Sequence, residues 1–209
     1  MKKFMIVVLM FAVLQLQAVS KSINAALYIF ANREGYELVL SKQRTNTKLT
    51  SQDVIELLKF GATQSITSID LHQSDISKFP SLVEYTGLKC LKLYGNKITL
   101  VPEEFTRLTS LEEVDLHNND IEDASPIINM IDHLISLDLS ENKRLKLSDE
   151  DISRIRKRCE IYDSWCVLSP NDRVPKLHFA FSGNNLTEEQ KEQFKKLSEQ
   201  FKHIIVKSF

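Results

Sequence analysis

The chain has 209 residues, 43% hydrophobic and 26% charged, which is ordinary globular material for one domain with a core of its own. A formal charge of −1 lacks the basic footprint of a nucleic-acid binder and offers no attraction to an anionic membrane. With five glycines scattered along the chain, no Gly-rich loop can cradle a phosphate.

Lys2 and Lys3 precede an apolar run from Phe4 to Leu14, and Ala18-Val-Ser20 offers small residues where a signal peptidase reads. Residues 1–20 are therefore expected to be a signal peptide cleaved after Ser20. The run is too short to cross ~30 Å of hydrocarbon, and no basic stop-transfer cluster comes after it. The expected location is secreted, periplasmic or extracellular, with no membrane span after cleavage. An intracellular scaffold with an uncleaved N-terminal helix is the alternative.

Residues 21–65 are expected to form an N-terminal cap, a hairpin plus a helix. Ala26-Leu-Tyr-Ile-Phe30 and Tyr36-Glu-Leu-Val-Leu40 flank Gly35 as the two arms of the hairpin. Thr50-Ser-Gln-Asp53 has the form of a helix start, and Val54, Ile55, Leu57 and Leu58 supply an apolar face.

One phrase is then written four times: Ile66-Thr-Ser-Ile-Asp-Leu71, Leu88-Lys-Cys-Leu-Lys-Leu93, Leu111-Glu-Glu-Val-Asp-Leu116 and Leu134-Ile-Ser-Leu-Asp-Leu139. Apolar residues hold positions one, four and six. Position nine is Ser74, Asn96, Asn119 and Asn142, spaced by 22, 23 and 23 residues. A fixed period of this length marks a solenoid. Positions four and six share one side of a strand, so stacked copies give a parallel sheet with one buried and one open face. An Asn in the bend can bond backbone groups that would otherwise stay unpaired.

The pattern L-x-x-L-x-L-x-x-N-x-L resembles the leucine-rich repeat family. That resemblance implies an α/β right-handed solenoid with a parallel concave sheet and about five strand phrases, spanning residues 66–186. Ile98 to Leu108 resembles the extended returns of typical repeats. Ile121-Glu-Asp-Ala-Ser-Pro126 resembles an internalin-like return, with Ala124 where that signature has a β-branched residue. Ser148 to Cys159 resembles the longer helical returns of ribonuclease-inhibitor-like repeats. Phe179, Phe181, Asn184 and Leu186 form a late fifth phrase, 42 residues after Asn142 in its Asn. A helical repeat accounts for ~28 of those residues, so about fourteen, at 161–175, are expected to be an insertion. Thr187-Glu-Glu-Gln190 is a capping box, and residues 187–209 are expected to be a helix that closes the stack on Phe194, Leu197 and Phe201.

Outward positions give the candidate site. Position three is Ser68, Cys90, Glu113, Ser136 and His178; position five is Asp70, Lys92, Asp115, Asp138 and Ala180; position seven is His72, Tyr94, His117, Ser140 and Ser182. The family binds partners on this sheet, so the resemblance implies a protein partner held by His72, Lys92, Tyr94, Asp115, His117 and Asp138. Trp165, on the expected insertion, is added as a second anchor because large aromatics carry binding energy.

Asp115, His117 and Asp138 could approach one another on adjacent strands, and a metal-dependent hydrolase is the alternative of a different class. Solvated polar residues on a binding face are the blander reading, so no metal, cofactor or catalytic residue is expected. Cys90 beside Glu113 has its thiol disfavoured as a nucleophile. Export would make Cys159 and Cys166 candidates for a local disulfide, with two free thiols the other possibility. A monomer is expected.

Overall fold

The computed structural model describes residues 28–31, 36–39, 66–168, 176–201 and 203–207. The expected signal peptide and the helix expected after Thr50 lie outside the described residues. Among the described residues, eight strands form one sheet in sequence order: β1 (Tyr28–Ala31), β2 (Tyr36–Val39), β3 (Ile66–Asp70), β4 (Cys90–Lys92), β5 (Glu113–Asp115), β6 (Ser136–Asp138), β7 (Leu177–Ala180) and β8 (Ile204–Lys207). β1 and β2 pair antiparallel, and every later pairing is parallel.

Register obeys the phrase. Ile69, Leu91, Val114, Leu137, Phe179 and Val206 lie opposite one another from β3 to β8, all buried. A one-residue slip would turn this column out to water, so the alternation pins the register. Leu71, Leu93, Leu116, Leu139 and Phe181 make a second fully buried column just beyond the strand ends.

The asparagines close the stack from within. Asn119 donates from Nδ2 to the carbonyls of Leu93 and Leu116, both at 3.0 Å, and its Oδ1 accepts from the amide of Ile98 at 3.0 Å. Asn96 and Asn142 repeat this pattern one copy earlier and one later. Each side chain thus ties its own bend to the preceding one and satisfies buried backbone groups that water cannot reach. Ser74 is too short for this; its hydroxyl donates to the carbonyl of His72. Position eight is left-handed in all five copies, at Gln73, Gly95, Asn118, Glu141 and Gly183, with φ between 50° and 72°.

The returns cross the far side of the sheet. A 3-10 helix at Glu103–Arg107 buries Phe105, which meets Phe79 edge-on at 5.4 Å. A four-residue helix α1 (Ser125–Ile128) buries Pro126, Ile127 and Ile128, and a 3-10 turn comes next at Ile131–His133. Helix α2 (Asp149–Leu168) starts from Ser148, whose hydroxyl accepts the amide of Asp151 while Asp151 accepts the amide of Ser148.

Two expectations are corrected here. Residues 161–168 are not part of an insertion: α2 runs through them, and Tyr162 and Cys166 continue the buried series Ile152, Ile155, Cys159. Residues 187–209 are not one helix either. Helix α3 (Glu188–Gln200) opens on the Thr187–Gln190 capping box, stacks Phe194 on Phe181 at 5.0 Å, and gives way to β8. The Ser198 hydroxyl donates to the carbonyl of Val206 and accepts its amide, fastening β8 to α3.

Cys159 and Cys166 are both free thiols, so the candidate disulfide is absent. Seven residues along a helix separate their Cα atoms by ~10.5 Å, beyond the ~7 Å that a disulfide can bridge.

Candidate functional site

The outward columns lie where the alternation places them. Ser68, Cys90, Glu113, Ser136 and His178 face one another in register, and so do Asp70, Lys92, Asp115, Asp138 and Ala180. Helix α2 packs on the opposite side with α1 and α3. Trp165 is therefore not brought to this face. It stands 49% exposed on α2, tilted against Tyr162 at 5.9 Å.

At position seven the side chains form a stack. Tyr94 lies between His72 and His117, with ring centroids 4.6 Å apart on each side and planes within 8° and 9° of parallel. The spacing matches the ~4.8 Å between neighbouring strands, so parallel strands hold the rings face to face with little adjustment. Each histidine is clipped by the aspartate two residues before it. Asp115 Oδ1 accepts from His117 Nδ1 at 2.7 Å and from the His117 amide at 3.2 Å, and Asp70 makes the same pair of contacts to His72. These clips hold both imidazoles in place against Tyr94. Only 8% of His72 is exposed, whereas His117 and Tyr94 are half-buried.

The stack ends at His117, because the next residue in column seven is Ser140. Asp138 clips Ser140 in the same way, accepting from its amide at 2.9 Å and from its hydroxyl through Oδ1. Oδ2 of Asp115 and Oδ2 of Asp138 have no hydrogen-bond partner among the described residues. Lys92 stands in register between Asp70 and Asp115, so charges alternate along column five until Asp115 meets Asp138 directly. Like charges so placed repel.

A depression of about 180 Å³ opens beside this pair, bordered by Cys90, Glu113, Ser136 and His178. That is below the ~300 Å³ from which small-molecule pockets start, so it suits one side chain better than a free ligand. Cys90 donates to Glu113 at 3.7 Å, and burial, then the Glu113 charge, pushes its thiol up to about 11. It is a poor nucleophile at neutral pH. Tyr94 is also raised, first by burial and then by Asp70 and Asp115, so its hydroxyl stays a neutral donor. Ligand atoms of Asp115, His117 and Asp138 lie within 4.8 Å of one another. Ligands sharing one zinc ion with ~2.1 Å bonds sit about 3.5 Å apart, and His117 Nδ1, one of the three, is already bonded to Asp115 at 2.7 Å.

The alternation in the sequence placed these columns but did not mark Ser140 as the end of the ring stack or Glu113 as a wall of the depression. The break in column seven from rings to hydroxyls was the available signal.

No family model matches the chain. A probable serine/threonine-protein kinase from Dictyostelium discoideum is 28% identical over 122 residues, which cover 56% of this chain and 10% of that protein. The chain thus corresponds to about a tenth of that relative. An internalin from Listeria monocytogenes aligns with a TM-score of 0.49 and 20% identity, over 69% of this chain and 35% of that one. The repeat architecture itself rests on this chain's register and its asparagine ladder.

Proposed function

We propose that the chain is a protein-interaction module whose partner docks on the outward face of the sheet. The observation that carries this is the His72–Tyr94–His117 stack in register with Asp70, Lys92, Asp115 and Asp138. Side chains held by aspartate clips and ring contacts lose little freedom when a partner arrives, which favours binding. Tyr94 is the central anchor of this reading. A right-handed coil belongs to it as well, since ~98% of parallel crossovers take that hand.

Export after cleavage at Ser20 is part of the same proposal and rests on the Lys2-Lys3 leader alone, because the unpaired thiols give no support for an oxidising compartment. N-terminal sequencing of the protein from its source tests it: a chain starting at Lys21 supports export, and one starting at Met1 favours the intracellular scaffold. Partner binding is tested by capture from source or host extract with wild type and Tyr94→Ala in parallel. A partner retained by wild type and lost with Tyr94→Ala, at unchanged melting temperature, supports the reading; equal retention refutes it.

A further inference from the structure

The outward face has a built step at its centre. Tyr94 is covered on both sides, but His117 has one ring face against Tyr94 and the other toward the column position of Ser140, a side chain too small to cover it. Beside that step the Asp115–Asp138 pair is the one place in column five where two like charges adjoin, each with Oδ2 unpaired among the described residues. Planar stacking and negative charge thus converge on one spot, two features that call for a flat cation.

Resting on the docking reading, we infer that this step takes an arginine side chain of the partner. Its guanidinium would continue the ring stack on His117 over Ser140, and its N–H groups would bond the free Oδ2 atoms of Asp115 and Asp138. The fork geometry of a guanidinium reaches two carboxylates on neighbouring strands, and its planar face stacks on an aromatic ring. An ammonium, a compact and strongly hydrated point charge, gains the attraction without the stacking. A metal ion is less well served. His117 Nδ1, the ring nitrogen facing the carboxylates, is already bonded to Asp115.

The test uses the full chain and N-acetyl-arginine amide as probe, tracked through the His117 ring signals by NMR. Saturable chemical-shift changes of the His117 ring are expected, with the matching lysine amide at least about tenfold weaker. Asp138→Asn, which keeps the oxygen that Ser140 bonds, should weaken the arginine probe about fivefold or more. Ser140→Phe, which fills the step and keeps both charges, should abolish the shift. Equal binding of the lysine probe, no saturable shift, or an unchanged response in both variants overturns the inference. So does a zinc titration that shifts His117 while the arginine probe does nothing. The probe needs no partner, so its failure alongside partner loss in Tyr94→Ala would leave the docking face standing and remove only the arginine.

Discussion

At the residue scale, the asparagine ladder ties each bend to the one before it. Asn119 serves two carbonyls and one amide, all buried. Asn119→Ala strands these groups at about 1–3 kcal/mol each, less what relaxation recovers, so a net loss of roughly 2–5 kcal/mol is expected in denaturant unfolding. Asn119→Asp should also destabilise, because it keeps the acceptor and loses the donor. The thiols give a second check. Burial first pushes Cys159 up to about 12 from an ordinary value of 9.0. A raised folded-state pKa gives stability that is complete below pH ~9 and lost as pH rises toward the folded value. The melting temperature should therefore fall above pH 9, and Cys159→Ala should fall less steeply. Non-reducing mass spectrometry should find Cys159 and Cys166 unlinked. The pairing was suggested by compartment and sequence spacing, and neither reports that both cysteines share a helix.

At the element scale, the helix ends were partly legible. Thr187 and Gln190 read as a capping box and form one, with the Thr187 amide donating to Gln190 Oε1 at 3.0 Å and the Gln190 amide to Thr187 Oγ1 at 3.2 Å. Thr187→Ala should cost about 1 kcal/mol, read as a lower denaturant midpoint at constant slope. Gly95 sits at φ 68°, and a Cβ there would meet Gln73 Cγ at 2.9 Å, so Gly95→Ala should cost about 1 kcal/mol or more. The length of α2 was misread although its signal was present. Ile152, Ile155, Cys159, Tyr162 and Cys166 step by three and four throughout, a helical stripe that runs past the point where an average repeat would have turned. β8 was missed because four residues after a helix carry too little alternation to stand out; its place is fixed by pairing with β7 and by Ser198.

At the scale of the whole molecule, a fixed period of one phrase was enough to specify strand direction, order and register for β3 to β7. Repetition made this possible: a single six-residue phrase is ambiguous, while four in phase leave one way to bury all their leucines. The outward columns came from the same alternation. The ring stack, the aspartate clips and the adjoining Asp115 and Asp138 depend on rotamers and strand spacing, which alternation alone does not set. Trp165 shows the converse. Its size suggested a role in binding, yet α2 carries it to the side away from the columns.

These two surfaces permit one direct measurement: titration of the captured partner against wild type, Tyr94→Ala and Trp165→Ala, with melting temperatures recorded alongside. Docking on the outward face predicts a loss of roughly 30-fold or more for Tyr94→Ala, the scale of a central anchor, and wild-type affinity for Trp165→Ala. Wild-type affinity for Tyr94→Ala, or a loss confined to Trp165→Ala, would contradict it and move the partner to the helical side.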